Sequence, residues 1–212
     1  MKRAVVSFAN GQYLSKLDRL KDSFKGRTNA DLITFTDFAQ INCKPHSVVP
    51  YLFKPYAIQK AIDLGYETVL WCDSPIVAVK DVEPVFDYIE ENGYMFFDNI
   101  GHPLGMWAND LSLQHFGVSR EEAMTIRQIM ACVMGFNFTN AMVKSIFTKY
   151  KELEYLYPGS WSDHRHDQTV MSLLIHQFGL HILTAHETFF IYEAFKNVKE
   201  FNIADSVCLV SK

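Results

Sequence analysis

A carboxylate forced out of a hydrophobic core at a fixed point is the first chemical feature of this chain. Asp73 directly follows the apolar run TVLWC, residues 68–72, and Pro75 ends that run two residues later. A run of this kind reads as a strand buried on both faces, so the residue after it is delivered to the sheet edge, where the proline turns the chain. A carboxylate placed there either holds a hard cation such as Mn²⁺ or Mg²⁺ or caps the turn with its side chain. Other polar residues end other apolar runs: Ser7 and Asn10, Asp37, Ser74 and Asp98. In an open parallel sheet ligands gather at the carboxyl ends of strands, which makes these residues one candidate set. Asn137 stands apart, because a polar side chain inside an apolar strand beside Gly135 needs a hydrogen-bond partner. The run SWSDHRHDQ, residues 160–168, is polar and ligand-rich, but its spacing matches no closed tetrahedral zinc pattern and no cysteine lies near it. Within it, Asp167 is either a first-turn residue of the following helix or a functional acid.

The elements that must position these residues alternate. Residues 3–8 (RAVVSF), 31–36 (DLITFT), 68–72 and 94–97 (YMFF) read as strands. Between them, Leu14, Leu17, Leu20 and Phe24 mark one amphipathic helix, stopped at Gly26. Pro55 opens a second, with Ile58, Ala61 and Ile62 on one face and Gly65 after it; a third covers 82–92 and closes at Gly93. The alternation predicts parallel strands joined by crossovers. Beyond it, 101–109 (GHPLGMWAN) reads as a loop, and Ser119 with Glu122 predicts a capped helix through Ile129. Residues 131–138 (ACVMGFNF) read as a strand, 141–153 and 167–178 as helices, 180–184 (LHILT) as a last strand, and 187–198 as a helix. No repeat or linker divides 1–212, which predicts a single α/β domain with a central, mostly parallel mixed sheet flanked by helices.

Composition narrows the function classes. The 212-residue chain carries a formal net charge of −4, which argues against a broad nucleic-acid surface. Its four cysteines form no CxxC pair, and Cys72 and Cys132 sit in apolar runs as small hydrophobes, so a reducing, cytoplasmic setting is expected. No apolar stretch approaches the roughly 20 residues a membrane span needs, and the N-terminus does not read as a signal peptide.

The stretch KPYAIQKAIDLGYETVLWCDSPIVAVKDVEPVF, residues 54–86, resembles the core signature of GT-A nucleotide-sugar glycosyltransferases. GFNFTN at 135–140 is similar to the strand lining their sugar pocket, and HDQTVMSLL at 166–174 to their late helix with an acid and a glutamine. The whole is similar to the glycosyltransferase domain encoded by large chlorella viruses, where it is one part of a longer polypeptide. This resemblance implies a GT-A fold and a viral enzyme of the host cytoplasm. It implies transfer of a hexose or deoxyhexose from a UDP-sugar to a hydroxyl of a glycan or glycoprotein acceptor. Ser7, Ala9 and Asn10 would grip the nucleoside and Asp37 the uracil or ribose, with Tyr13 or Tyr56 as stacking candidates. Lys54 would reach a phosphate, and Ser74, Asn137 and Gln168 would complete the donor site. Asp167, and after it Asp98, would take the acceptor proton. His102, Trp107 and Asn109 lie where acceptor sugars stack.

One departure stands out. Pro75 occupies the place of the family's second metal carboxylate, and a proline cannot ligate a cation. Asp73 would then hold Mn²⁺ or Mg²⁺ with help from His186 or from the cluster Asp163, His164, His166 and Asp167. Pro75 equally suits a non-catalytic nucleotide-sugar or carbohydrate-binding domain.

Overall fold

The three earliest apolar runs become neighbouring parallel strands. The computed structural model describes residues 1–156, 166–185, 187–192 and 207–211. In it β1 (Arg3–Phe8), β2 (Asp31–Phe35) and β3 (Thr68–Cys72) point the same way, joined through α1 (Leu14–Phe24) and α2 (Phe53–Asp63). Leu17, Leu20 and Phe24 bury the inner face of α1, while Leu14 remains 41% exposed at its first turn. Pro55 sits in the first turn of α2, where a missing N–H leaves no hydrogen bond unmade. β4 (Ile76–Ala78) and α3 (Glu83–Asn92) follow, and Gly93 closes α3 in the left-handed conformation at φ 89°.

The strand directions match the sequence pattern, but the neighbours do not. β5 (Tyr94–Pro103) points along β3 without touching it, because β6 (Arg127–Asn137) lies between them and runs antiparallel to both. The resulting five-stranded sheet has the order β2-β1-β3-β6-β5, a mostly parallel sheet with one reversed strand. Gly135 lets β6 pass under α3, since a Cβ there would stand 2.5 Å from Ile89 Cδ1.

β6 also corrects the expected helix through Ile129. Ser119 does accept from the Glu122 amide at 3.0 Å, yet α5 spans only Arg120–Ala123, after α4 (Asp110–Phe116). From Arg127 the chain is extended instead, because it pairs with β5 and buries Gln128 through Ala131, and sheet burial outweighs the local helical preference. α6 (Ala141–Leu156) and α7 (His166–Gln177) then cover one sheet face with α2, around Trp71, Phe96, Phe136 and Tyr150. On the other face α1 and α3 pack with a second, three-stranded sheet of β4, β7 (Phe189–Tyr192) and β8 (Val207–Ser211), in the order β4-β8-β7.

That second sheet replaces two sequence expectations. Residues 189–192, read as helical, are a strand buried against β8, and residues 193–198 lie outside the described residues. The strand expected over 180–184 contributes a single bridge, Leu183 to Phe97. No helix among the described residues is long and apolar enough to cross a membrane.

Candidate active site

Three elements converge on one buried ammonium. Lys54, from the first turn of α2, has its Nζ 3.1 Å from Asp73 Oδ1 beyond β3 and 2.7 Å from Asp167 Oδ2 in the first turn of α7. It donates a further hydrogen bond to the Ala131 carbonyl of β6 at 3.0 Å. Its side chain is 3% exposed, whereas that of Asp73 is 30% exposed. Desolvation alone lowers the lysine pKa, but the carboxylates of Asp167 and then Asp73 more than reverse it and hold the ammonium charged. Burial pushes the Asp73 carboxyl above its ordinary range, with Lys54 opposing. Two carboxylates around one ammonium leave the cluster with net negative charge when all three are ionised.

Asp73 is held in place by its neighbours. Its amide donates to the Cys132 carbonyl at 2.8 Å, and its Oδ1 accepts from Trp71 Nε1 at 2.8 Å. The same oxygen faces Lys54, so Oδ2 is the less committed one, with Lys54 at 3.4 Å. Asp73, Ser74 and Pro75 form one wall of a cleft of about 300 Å³. Ala9, Asn10 and Tyr13 approach from the end of β1, so the cleft lies at the carboxyl ends of β1 and β3, where this class of sheet binds ligands. Its floor is aromatic: Phe8 lies 4.8 Å from Phe38 and 4.9 Å from Phe53, centroid to centroid. His46 and Tyr51 close the remaining side. Such a row offers stacking faces for a planar ring beside a polar group for an anion.

The structure sorts the residues expected from sequence. Ala9, Asn10, Ser74 and Asp73 line the cleft. Ser7 does not: it is fully buried within β1, because strand alternation turns its side chain into the core. Asp37 is a turn residue whose side chain accepts from the Ala39 amide at 2.9 Å, closing a capping box with Gln40. Lys54, which the resemblance implies would reach a phosphate, is buried beside Asp73. Asn137 is at the wrong edge. Because β6 is antiparallel, Asn137 pairs with Thr68 at the start of β3, five residues before Asp73 and so roughly 16 Å from it at about 3.3 Å per residue. Its side chain is satisfied locally, accepting from the Thr139 hydroxyl at 2.7 Å.

Asp98 is buried at a register shift of β5, with Oδ1 accepting from the Ala185 amide at 2.9 Å and Oδ2 paired with Arg127. Both oxygens are therefore committed to tying segments together. Gln168 is half-buried, and its carbonyl accepts from the Ser172 hydroxyl at 2.6 Å. Tyr56 packs against the main core, as an ordinary helix tyrosine does, while Tyr13 lines the cleft. His102 and Trp107 stand 5.4 Å apart, and Asn109 caps α4 through the Ser112 amide at 2.7 Å. His186, Asp163 and His164 lie outside the described residues, as does the side chain of His166.

His46, Tyr51, Phe38 and Phe53 were not among the sequence candidates. Their one signal was the aromatic and histidine content of the stretch between Phe38 and Phe53, punctuated by Pro45 and Pro50.

Comparison with known proteins bears on the fold. No protein-family model and no curated protein matches the chain. Solved structures do. A glycosyltransferase involved in the glycosylation of the major capsid of PBCV-1 aligns with a TM-score of 0.63 at 14% identity, covering 100% of this chain and 93% of that one. The apo structure of the bifunctional glycosyltransferase WbbM gives 0.61 at 12% identity, over 99% of this chain and 45% of that one. Apo GlyE of Streptococcus pneumoniae TIGR4 gives 0.57 at 15%, over 99% and 54%. The chain thus spans about half the length of WbbM and GlyE. At these identities the likeness establishes architecture: the chain has the mixed α/β fold of these glycosyltransferases.

Proposed function

We propose that this protein is a glycosyltransferase that moves a hexosyl or deoxyhexosyl group from a UDP-sugar to a hydroxyl of a glycan or glycoprotein acceptor. One observation carries the reading: an aromatic cleft at the carboxyl ends of β1 and β3 is walled by a carboxylate that is itself held on a buried lysine. The neighbours sharing this fold are glycosyltransferases, which supports the same class of chemistry. In this reading the nucleobase stacks on the Phe8, Phe38 and Phe53 side, and the diphosphate lies toward Asp73 and Ser74. Stacking tolerates any base, so the aromatic floor contributes affinity more than selectivity.

The donor set bears on a metal. Asp73 lines the cleft and its Oδ2 has one described donor, at 3.4 Å, which fits one position in the shell of an Mn²⁺ or Mg²⁺ ion that keeps several waters. No group of three His, Cys, Asp or Glu among the described residues forms a metal site; Asp73 would hold the ion with His186, or with the cluster Asp163, His164, His166 and Asp167, as the family resemblance implies. When bound, the cation supplies positive charge to the departing diphosphate.

The protein's own residues supply the rest. Lys54 fixes the Asp73 carboxylate and limits its rotation, so charge complementarity at the cleft is preorganised rather than assembled on binding. Asp167 keeps Lys54 protonated and, through it, orients Asp73; in this role it is a positioning residue rather than a free base. Asp98 ties the middle of β5 to Ala185 and Arg127.

Calorimetric titration with UDP, with and without Mn²⁺, together with donor hydrolysis, tests this reading. Micromolar UDP binding and metal-stimulated hydrolysis are expected; indifference to both nucleotide and metal overturns it. Pro75, which lines the cleft in place of a second carboxylate, favours a second reading, a non-catalytic nucleotide-sugar binder. That reading predicts UDP binding with no hydrolysis at all.

A further inference from the structure

We propose that His46 donates its Nε2–H to the diphosphate of the bound nucleotide, a direct anion contact supplied from a loop beside a cation shell that Pro75 cannot join. This rests on the nucleotide-sugar reading above. The cleft offers an anion little else: among the described residues that line it, Asp73 is the one carboxylate and His46 the one basic side chain. Lys54 is near, but its side chain is 3% exposed and lies behind Asp73.

The ring's tautomer follows from its bonding. The Tyr51 amide donates to His46 Nδ1 at 2.9 Å, so Nδ1 is an acceptor and the neutral ring carries its proton on Nε2. Burial lowers the imidazole pKa, with Lys54 acting in the same direction and Asp167 against it, so the neutral, donating form holds at neutral pH. Tyr51 itself adopts a left-handed backbone at φ 59°, a conformation a bulky residue rarely takes and one that concentrates at ligand sites. Its ring meets His46 edge-on at 4.8 Å and lies 5.3 Å from Lys54 Nζ. The aromatic row therefore runs from Phe38 through Phe8 and Phe53 to Tyr51 and His46, and Tyr51, whose ring His46 meets, marks the end toward the charged cluster. That end is where the phosphates would lie if the base occupies the other.

Calorimetry with uridine and UDP, each with and without Mn²⁺, separates base contacts from phosphate contacts. His46→Asn keeps an acceptor for the Tyr51 amide but removes the Nε2 donor. It is expected to weaken UDP about tenfold or more, as for a lost hydrogen bond to a charged group, and to leave uridine within about twofold. His46→Gln places an amide N–H near the lost donor and is expected to recover part of the UDP affinity. Equal loss for uridine and UDP, or no loss for either, overturns the role of His46 while leaving the nucleotide reading intact. Wild-type protein that binds neither ligand overturns both.

Discussion

Two cations in this protein each gather acidic side chains, at opposite ends of the strands of one sheet. At the start of β1, Arg3 pairs with Glu83, Asp87 and Glu90 of α3, each at 2.7 Å. Beyond the end of β3, Lys54 gathers Asp73 and Asp167. The arginine cluster is partly solvated, with the Arg3 side chain 21% exposed, and its planar fork suits several carboxylates at once. It stitches α3 to the sheet. In the lysine cluster the ammonium and Asp167 are buried, and a buried ion pair of this kind adds little stability over apolar packing because desolvation opposes it. The Lys54 cluster also opens through Asp73 onto a cleft. Comparison of the two separates a charge cluster that ties a helix to the sheet from one that opens onto a cleft.

The sharpest way to break this contrast is Lys54→Met. It strands two carboxylates at a buried site and should destabilise the protein by roughly 3–5 kcal/mol, read by urea or thermal denaturation. Adding Asp167→Asn should restore much of that stability but not UDP binding. If the double variant binds UDP like the wild type, the cluster is structural and the contrast fails.

Next in size is Asp73→Asn, expected to lower donor turnover by about 10²–10³ while the fold persists, measured as hydrolysis rate at saturating metal. Unchanged turnover would make Asp73 a turn residue.

Arg3→Met should cost about 1–2 kcal/mol and leave UDP affinity unchanged, since it touches only the opposite end of the strands. The same cluster sets an acid limit. Glu90, bonded by Arg3, and Glu83, bonded by Asn29, Thr28 and Arg3 against its own burial, are both held below their ordinary value of 4.5. Their contribution is present above pH 4.5 and is lost as pH falls through the lowered values, because the unfolded chain then binds more protons. Denaturation midpoints between pH 6 and pH 3 should show that loss in the wild type and less of it in Arg3→Met.

The smallest effect belongs to Asn137→Ala, which should cost about 1 kcal/mol and leave turnover intact. A large activity loss would mean that the distant edge takes part.

The elements that carry the two clusters were legible in the chain itself; the clusters were not. The apolar run before Asp73 could only be an interior strand, and the spacing of Leu17, Leu20 and Phe24 could only face a core. What escaped was set by distant pairing. Nothing local in residues 127–137 says that they lie antiparallel between β3 and β5, and that single fact moves Asn137 away from the site and shortens the helix begun at Ser119. Lys54 reads as a surface residue because lysine usually is one; its burial depends on acids 19 and 113 positions away. The strand at 189–192 takes its pairing from β8, and a short isolated segment carries too little pattern to reveal that.

The reversed strand has one more effect. Its consecutive carbonyls at Ala131 and Cys132 accept from the Lys54 ammonium and the Asp73 amide, so β6 gauges both charged partners through its main chain. Sequence drift at 131 and 132 is then constrained by volume and not by chemistry. Inserting or deleting one residue between 127 and 131 should be far more damaging than any exchange of similar side chains, because it would displace the scale against which the charges are set.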